Sequence, residues 1–367
     1  MLLLGAVAGL PTAALSAPSK GSVAVSTAAP AALGREAIAV LSALGGDSDA
    51  EVRASVAAEW GNLGNRAAIA RLKKTLSDDR ADVRIAAAAS LIALGDVQGL
   101  VALIDETKPI SSGAAASPAD ELRRMARDAA RARAVLKLGE AAKGSALETL
   151  RTALGDEAGE VRDAAAVALA RLGLGDSAQF LAAAADPDEG VRSAGAKALG
   201  LIGREGLREL SRLAASDASA NVRAEAALAL ANFRDPKALE VLVAALADKN
   251  TRVRLNAARA LARQSASAST AALKKLLDQA PPAELALVAS AALARRGQDP
   301  DLELAEMTLG QRDPDLKALA VAALAASSRP RAREILSNAM RSDPDARVRA
   351  AAAAAIVAQL RKVGDSR

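Results

Sequence analysis

Apolar positions along this chain recur with the three-then-four spacing of one helix face, and the same pattern returns from one end of the sequence to the other. The clearest instance is DDRADVRIAAAASLIALG, Asp78 to Gly95, in which Val83, Ala86, Ala87, Ser90, Leu91 and Leu94 hold the apolar or small positions of a single stripe. Asp78 stands five residues before the valine, where a carboxylate can cap the free N–H groups of a first turn, and Gly95 stands where the helix should stop. The spacing predicts an amphipathic helix with both ends specified.

Val-Arg pairs mark further copies at Val52-Arg53, Val83-Arg84, Val161-Arg162, Val191-Arg192, Val222-Arg223, Val253-Arg254 and Val348-Arg349, with weaker equivalents at Leu285-Ala286 and Leu316-Lys317. Outside one gap, adjacent copies lie 30 to 32 residues apart, and the eighth residue after the first of each pair is always large and apolar, from Trp60 and Leu91 to Ile356. A shorter apolar helix precedes each copy, as in Asp235-Pro236 followed by Leu239, Leu242 and Leu246. The expected fold is therefore all-α: a solenoid of about ten helical hairpins, each repeat burying its apolar face against its neighbours.

The gap of 78 residues between Val83 and Val161 hides one more copy. Setting Ala126–Gly139 against Val161–Gly173 splits it into 43 and 35, which makes the third repeat irregular, with a loop at 105–119 and a basic helix at 120–138. The loop, rich in Ser, Ala, Gly and Pro, lacks apolar periodicity. Before the solenoid, expected over 31–364, residues 18–30 read as a flexible linker and residues 1–17 as a secretory signal peptide. The latter reading rests on the uncharged run Leu2–Leu10 and the small residues that follow Pro11. The expectation is export to the periplasm or outside, or a cytoplasmic protein if that segment is not a signal. The run is too short to form a stable membrane span.

A helical pair of about thirty residues, with Asp before the second helix and V-R-x-x-A-A-x-A-L-x-x-L-G within it, resembles the HEAT family over Ala31 to Val363. The short unit is similar to the HEAT-like repeats of phycobilisome lyases. The resemblance implies a superhelix in which the arginine of each pair, such as Arg84 or Arg192, reaches an aspartate of a neighbouring repeat. As a guide to function it is broad, since such repeats serve scaffolds, transport factors and some enzymes.

Composition narrows the chemistry. With no histidine among 367 residues, neither a histidine-and-carboxylate iron site nor a serine-histidine or cysteine-histidine nucleophile pair can be assembled, and the absence of cysteine removes disulfides and thiolate metal sites. Asp47, Asp78, Asp156, Asp186, Asp217, Asp248 and Asp343 stand five before each repeat's zero position and read as helix caps rather than as a ligand ladder. The DPD triplets beginning at Asp186, Asp299, Asp313 and Asp343 read as cap, first-turn proline and dipole-matched acid rather than calcium loops. Trp60, Phe180 and Phe233, the only aromatic residues, all fall on core positions and leave no stacking platform for nucleic-acid bases. No cofactor is expected.

The net charge of +5 is matched by one segment. Between Leu122 and Lys137, six basic residues face a single acid, and Arg123, Arg127 and Arg131 lie along one side with Arg124 beside them, Leu122 and Met125 marking the side expected to be buried. These four arginines are the candidate partner-binding residues. The function that fits is a non-catalytic scaffold binding an unidentified protein or peptide along the curved surface. Binding of an anionic polymer or nucleic acid through the basic stripe is the disfavoured alternative, and a HEAT-like enzyme such as a chromophore lyase is more remote still. Without histidine, stability should be nearly flat between about pH 5 and 8.

Overall fold

A computed structural model describes residues 30–109, 117–141, 145–174, 177–203, 205–264, 266–298 and 302–365. The expected signal segment, all of the expected linker but Pro30, and the middle of the 105–119 loop lie outside the described residues. Among those described there is no strand, and no helix is long and apolar enough to cross a membrane.

Twenty α-helices follow in pairs: α1 (Pro30–Leu44) and α2 (Ala50–Asn62), α3 (Ile69–Thr75) and α4 (Ala81–Ala93), α5 (Val97–Thr107) and α6 (Pro118–Ala141), α7 (Leu147–Ala153) and α8 (Gly159–Arg171), α9 (Ser177–Ala184) and α10 (Glu189–Leu199). They continue as α11 (Glu205–Ser216) and α12 (Ala220–Ala229), α13 (Pro236–Ala245) and α14 (Thr251–Arg263), α15 (Ser267–Asp278) and α16 (Ala283–Arg295), α17 (Glu303–Leu309) and α18 (Pro314–Ala326), α19 (Pro330–Ser342) and α20 (Ala346–Asp365). The even-numbered helices carry the repeated phrase and pack side by side as an inner layer, while the odd-numbered ones cover them outside. Gly95 ends its repeat as the sequence predicts, at φ +81°, a conformation glycine adopts without a Cβ penalty.

The stack has no free end. α20 packs against both α1 and α2, and Leu33, Ala37 and Leu41 share one buried cluster with Val348, Ile356 and Val357. Arg341 donates to both carboxylate oxygens of Glu36 at 2.7 Å, and Arg347 donates to Glu51 at 2.7 Å. The ten inner helices thus close into a ring, whereas the polar stretch RKVGDSR, 361–367, leads one to expect a water-compatible terminal edge from sequence alone. The physical reason lies in α20, whose Ala350, Ala353, Ile356 and Val357 are apolar nearly all round and need cover on both flanks. Ten helices at 8–10 Å separation set their axes on a circle about 30 Å across, and helices about 10 Å wide then leave a lumen of roughly 20 Å.

The third repeat takes a different register from the one its sequence suggests. Arg131, not Arg127, occupies the repeated arginine position, so Ala130 is the zero and Leu138 the large residue eight later; the interval to Val161 becomes a regular 31 and the whole irregularity falls before α6. Gly139 fixes this alignment, because a Cβ there would stand 2.4 Å from the Cβ of Ala168 on α8. An alanine-rich helix accepts a shift of four residues without changing its apolar stripe, which is why the sequence supports both alignments. The helices also run further than expected at both edges of the loop, α5 to Thr107 and α6 from Pro118.

At the opposite rim, polar side chains staple each helix end to the one before. Gln359 donates to the carbonyls of Leu324, Ala325 and Ser327, Gln264 to those of Leu230 and Phe233, and Arg296 to those of Leu261, Ala262 and Gln264. They satisfy helix-terminal carbonyls that lack an intrahelical donor.

Candidate functional site

The repeated charges are structural. Arg53 donates from Nε and Nη2 to the two carboxylate oxygens of Asp78 at 2.8 and 2.9 Å, and Arg192 to Asp217 and Arg223 to Asp248 repeat this geometry 25 residues apart. The remaining Nη1 of Arg53 reaches the carbonyls of Asp47 and Ser48 at the start of its own repeat, so this arginine pins one turn and grips the next, as Arg192 and Arg223 also do. Lys317 grips Asp343 and Arg131 grips Asp156, and Arg84 finds Glu106 at the end of α5 in place of an aspartate. The neighbour-repeat pairing implied by the family resemblance is present.

The aspartates five before the zero position are not the N-caps. Each accepts from the backbone N–H two residues on, as Asp78 does from Arg80 and Asp47 from Asp49, which folds the turn that precedes the helix. The cap stands two residues later, at Asp49, Asp188, Asn250 and Asp345. Of the described DPD triplets, only the one at Asp313 caps with its first residue; those at Asp186 and Asp343 cap with their third, and the triplet at Asp299 lies outside the described residues. Among the described residues no group of acids is placed to hold a metal ion.

The arginine stripe is divided. Arg131 is buried, held by Asp128, Asp156 and the carbonyl of Thr107, so it belongs to the ladder and not to an exposed face. Arg123 and Arg124 are exposed and each pairs with an acid three residues earlier, Asp120 and Glu121, while Arg127 is half-buried. Leu122 and Met125, expected to be covered, are 67% and 56% exposed. The cause is length: α6 begins twelve residues before its zero position and α4 only two before Val83, so the first turns of α6 extend past α4.

What the sequence did not disclose is a groove of about 490 Å³ on the lumenal wall, between α2, α20 and α18. Ala351, Ala354, Ala355 and Ala358 of α20 and Ala318, Ala322 and Ala325 of α18 form its floor and one side. Ser55, Glu59 and Asn62 of α2 form the other side, and Arg347 and Asp315 close one end. It exists because α18 and α20 both offer methyl groups along this stretch, where α2 presents Ser55, Glu59 and Asn62. A signal was available in the run Ala350 to Ala355, which reads as plain core until ring closure turns one of its faces to the lumen.

Burial pushes the Glu59 carboxyl up, opposed by a hydrogen bond from Asn62, and burial likewise raises Asp163. The ladder goes the other way: the hydrogen bond from Arg53 holds Asp78 far below the carboxylate range, Arg223 lowers Asp248, Arg347 lowers Asp345 and Arg341 lowers Glu36. Stability from the lowered group is complete above the unfolded carboxylate value of about 4 and is lost as pH falls through the folded values below it. The raised pair acts with opposite sign, disfavouring the fold at neutral pH and ceasing to do so as it protonates. Melting followed by circular dichroism should therefore be flat from pH 8, rise slightly on approach to about pH 4.5, then fall steeply. Glu59→Gln should diminish the rise; a monotonic decline beginning near pH 6 would contradict the assignment.

Among curated proteins no sequence matches this chain. Solved structures similar to it include human deoxyhypusine hydroxylase in complex with glycerol, at 23% identity over 71% of this chain and 96% of that one, with a TM-score of 0.35. An engineered protein matches at 21% identity over 88% and 98%, TM-score 0.31, and Kap121p at 16% over 81% and 38%, TM-score 0.35. The family model for HEAT repeats matches residues 37–126, 116–200 and 207–294, more than half of the sequence. The chain belongs to the HEAT-repeat family.

Proposed function

We propose that the ring is a non-catalytic interaction scaffold that binds a protein or peptide on its lumenal wall. The observation that carries this reading is the apolar groove between α2, α18 and α20, a concave surface that the ring itself leaves uncovered. Among the described residues the charge of the wall is mixed, which weighs against an anionic polymer: Arg133 pairs with Asp82, Lys137 with Glu140, and Lys197 and Arg252 share Glu225. A catalytic role finds no support in a chain without histidine or cysteine, and no residue matches a chromophore-attachment motif. The uncharged run Leu2–Leu10 is the ground for placing this activity after export.

The test is site-directed photo-crosslinking in an extract of the source cells, with a photoreactive residue at lumenal Ala93 or Ala322 and, as controls, at outer Val97 or Val243. Crosslinks to a protein from the lumenal positions and not the outer ones are expected. Crosslinks only from the outer positions would refute lumenal binding, and nucleic acid at Ala93 or Ala322 would replace a protein partner with a polymer.

A further inference from the structure

The groove has a length, a floor and a charge. Its floor follows α20 from Arg347 to Ala358, about 16 Å of helix. At about 3.3 Å per residue, a single extended chain of about five residues spans that length. The floor at Ala351, Ala355 and Ala322 offers methyl groups only, which suits a segment of small apolar side chains lying close to the helices.

The charge is acidic. At one end Arg347 is already engaged by Glu51 and Asp345, with Asp315 beside it. Toward the other end Glu59 is half-buried and accepts a hydrogen bond from the neutral amide of Asn62. The lining thus sets two carboxylates, Asp315 and Glu59, against one guanidinium that Glu51 and Asp345 already engage, and Glu59 is the one held by a neutral group and not by a cation.

We propose that this groove binds an extended peptide segment of small apolar residues bearing one lysine or arginine, whose cation pairs with Glu59 while its flanking residues lie on the alanine floor of α18 and α20. The proposal rests on the scaffold reading and narrows it to one surface and one class of peptide. An acidic segment fits less well, because it would meet Asp315 at one end and Glu59 toward the other.

Fluorescence anisotropy with the full chain tests it, using end-blocked, labelled Ala-Val-Lys-Val-Ala and Ala-Val-Glu-Val-Ala. The lysine peptide should bind about tenfold or more tightly than the glutamate peptide. Glu59→Gln should weaken the lysine peptide about tenfold and erase the preference, and Ala322→Leu, at an exposed position the fold tolerates, should block both. Equal binding of the two peptides, or a preference that survives Glu59→Gln, would overturn the proposal. So would saturable binding of dodecylamine with neither peptide bound, which would assign the groove to an aliphatic amine. Self-association abolished by Ala322→Leu, again with neither peptide bound, would assign it to a second copy of the chain and overturn the proposal as well. Crosslinking from Ala93, remote from the groove, separates these failures from failure of the scaffold reading, because it persists if only the groove assignment is wrong.

Discussion

Removing residues 1–46, and α1 with them, is expected to lower the melting temperature by on the order of 10 °C and to leave a chain that self-associates. In an open solenoid the same deletion would trim one capping helix. Here α1 covers α20: Leu33, Leu41 and Leu44 are buried in one cluster with Ile356 and Val357, and Leu360 lies against the backbone at Gly34. Burying three leucines contributes about 4.5–9 kcal/mol, at roughly 1.5–3 kcal/mol each. The ion pair between Arg341 and Glu36 adds little to this, both side chains being more than a third exposed. The loss also reaches both ends of the sequence, since α2 and α20 would each keep a neighbour on one side only. Small-angle scattering should show an increased radius of gyration, and sedimentation should show association through the uncovered apolar flank of α20. A truncated chain that melts within about 2 °C of the full one would mean that the ends contribute nothing to each other's stability.

The period, the helical pair and the ladder are legible in the sequence because each is a local matter. A three-then-four apolar stripe specifies a helix face, and an arginine and an aspartate 25 residues apart specify how one repeat grips the next. The same 25-residue rule relates Arg131 to Asp156 and would have placed α6 in register, where similarity of alanine-rich strings does not. Closure is of another kind. It is the sum of ten small rotations between packed helices, each set by how closely backbones approach at positions such as Gly139, and no single residue states the total. The apolar girdle of α20 is the one local sign, since a terminal helix in an open stack should present a polar face to water. The groove follows from closure and is invisible without it: alanines that fill a core in one arrangement line a lumen in the other.

Lys317→Met is expected to destabilise the protein by about 3–5 kcal/mol, more than substitution at an exposed pair such as Arg331 with Glu334, for which about 0–1 kcal/mol is expected. The sequence ranks this site among the weaker copies, with leucine and lysine in place of valine and arginine. The structure makes it the most enclosed rung, Nζ lying 2.8 and 3.0 Å from the two oxygens of Asp343 with the side chains only 5% and 4% exposed. Methionine fills nearly the same volume, so the loss isolates the charge: Asp343 keeps one backbone N–H, from Asp345, but no cation and almost no water. The companion variant Asp343→Asn with Lys317→Met removes both charges and retains an acceptor for that N–H, and it should recover most of the loss. Urea unfolding of the four proteins in the cycle measures the coupling directly. If the double variant is no more stable than Lys317→Met alone, packing rather than an abandoned carboxylate accounts for the cost, and the ladder at this rung is a matter of fit and not of charge.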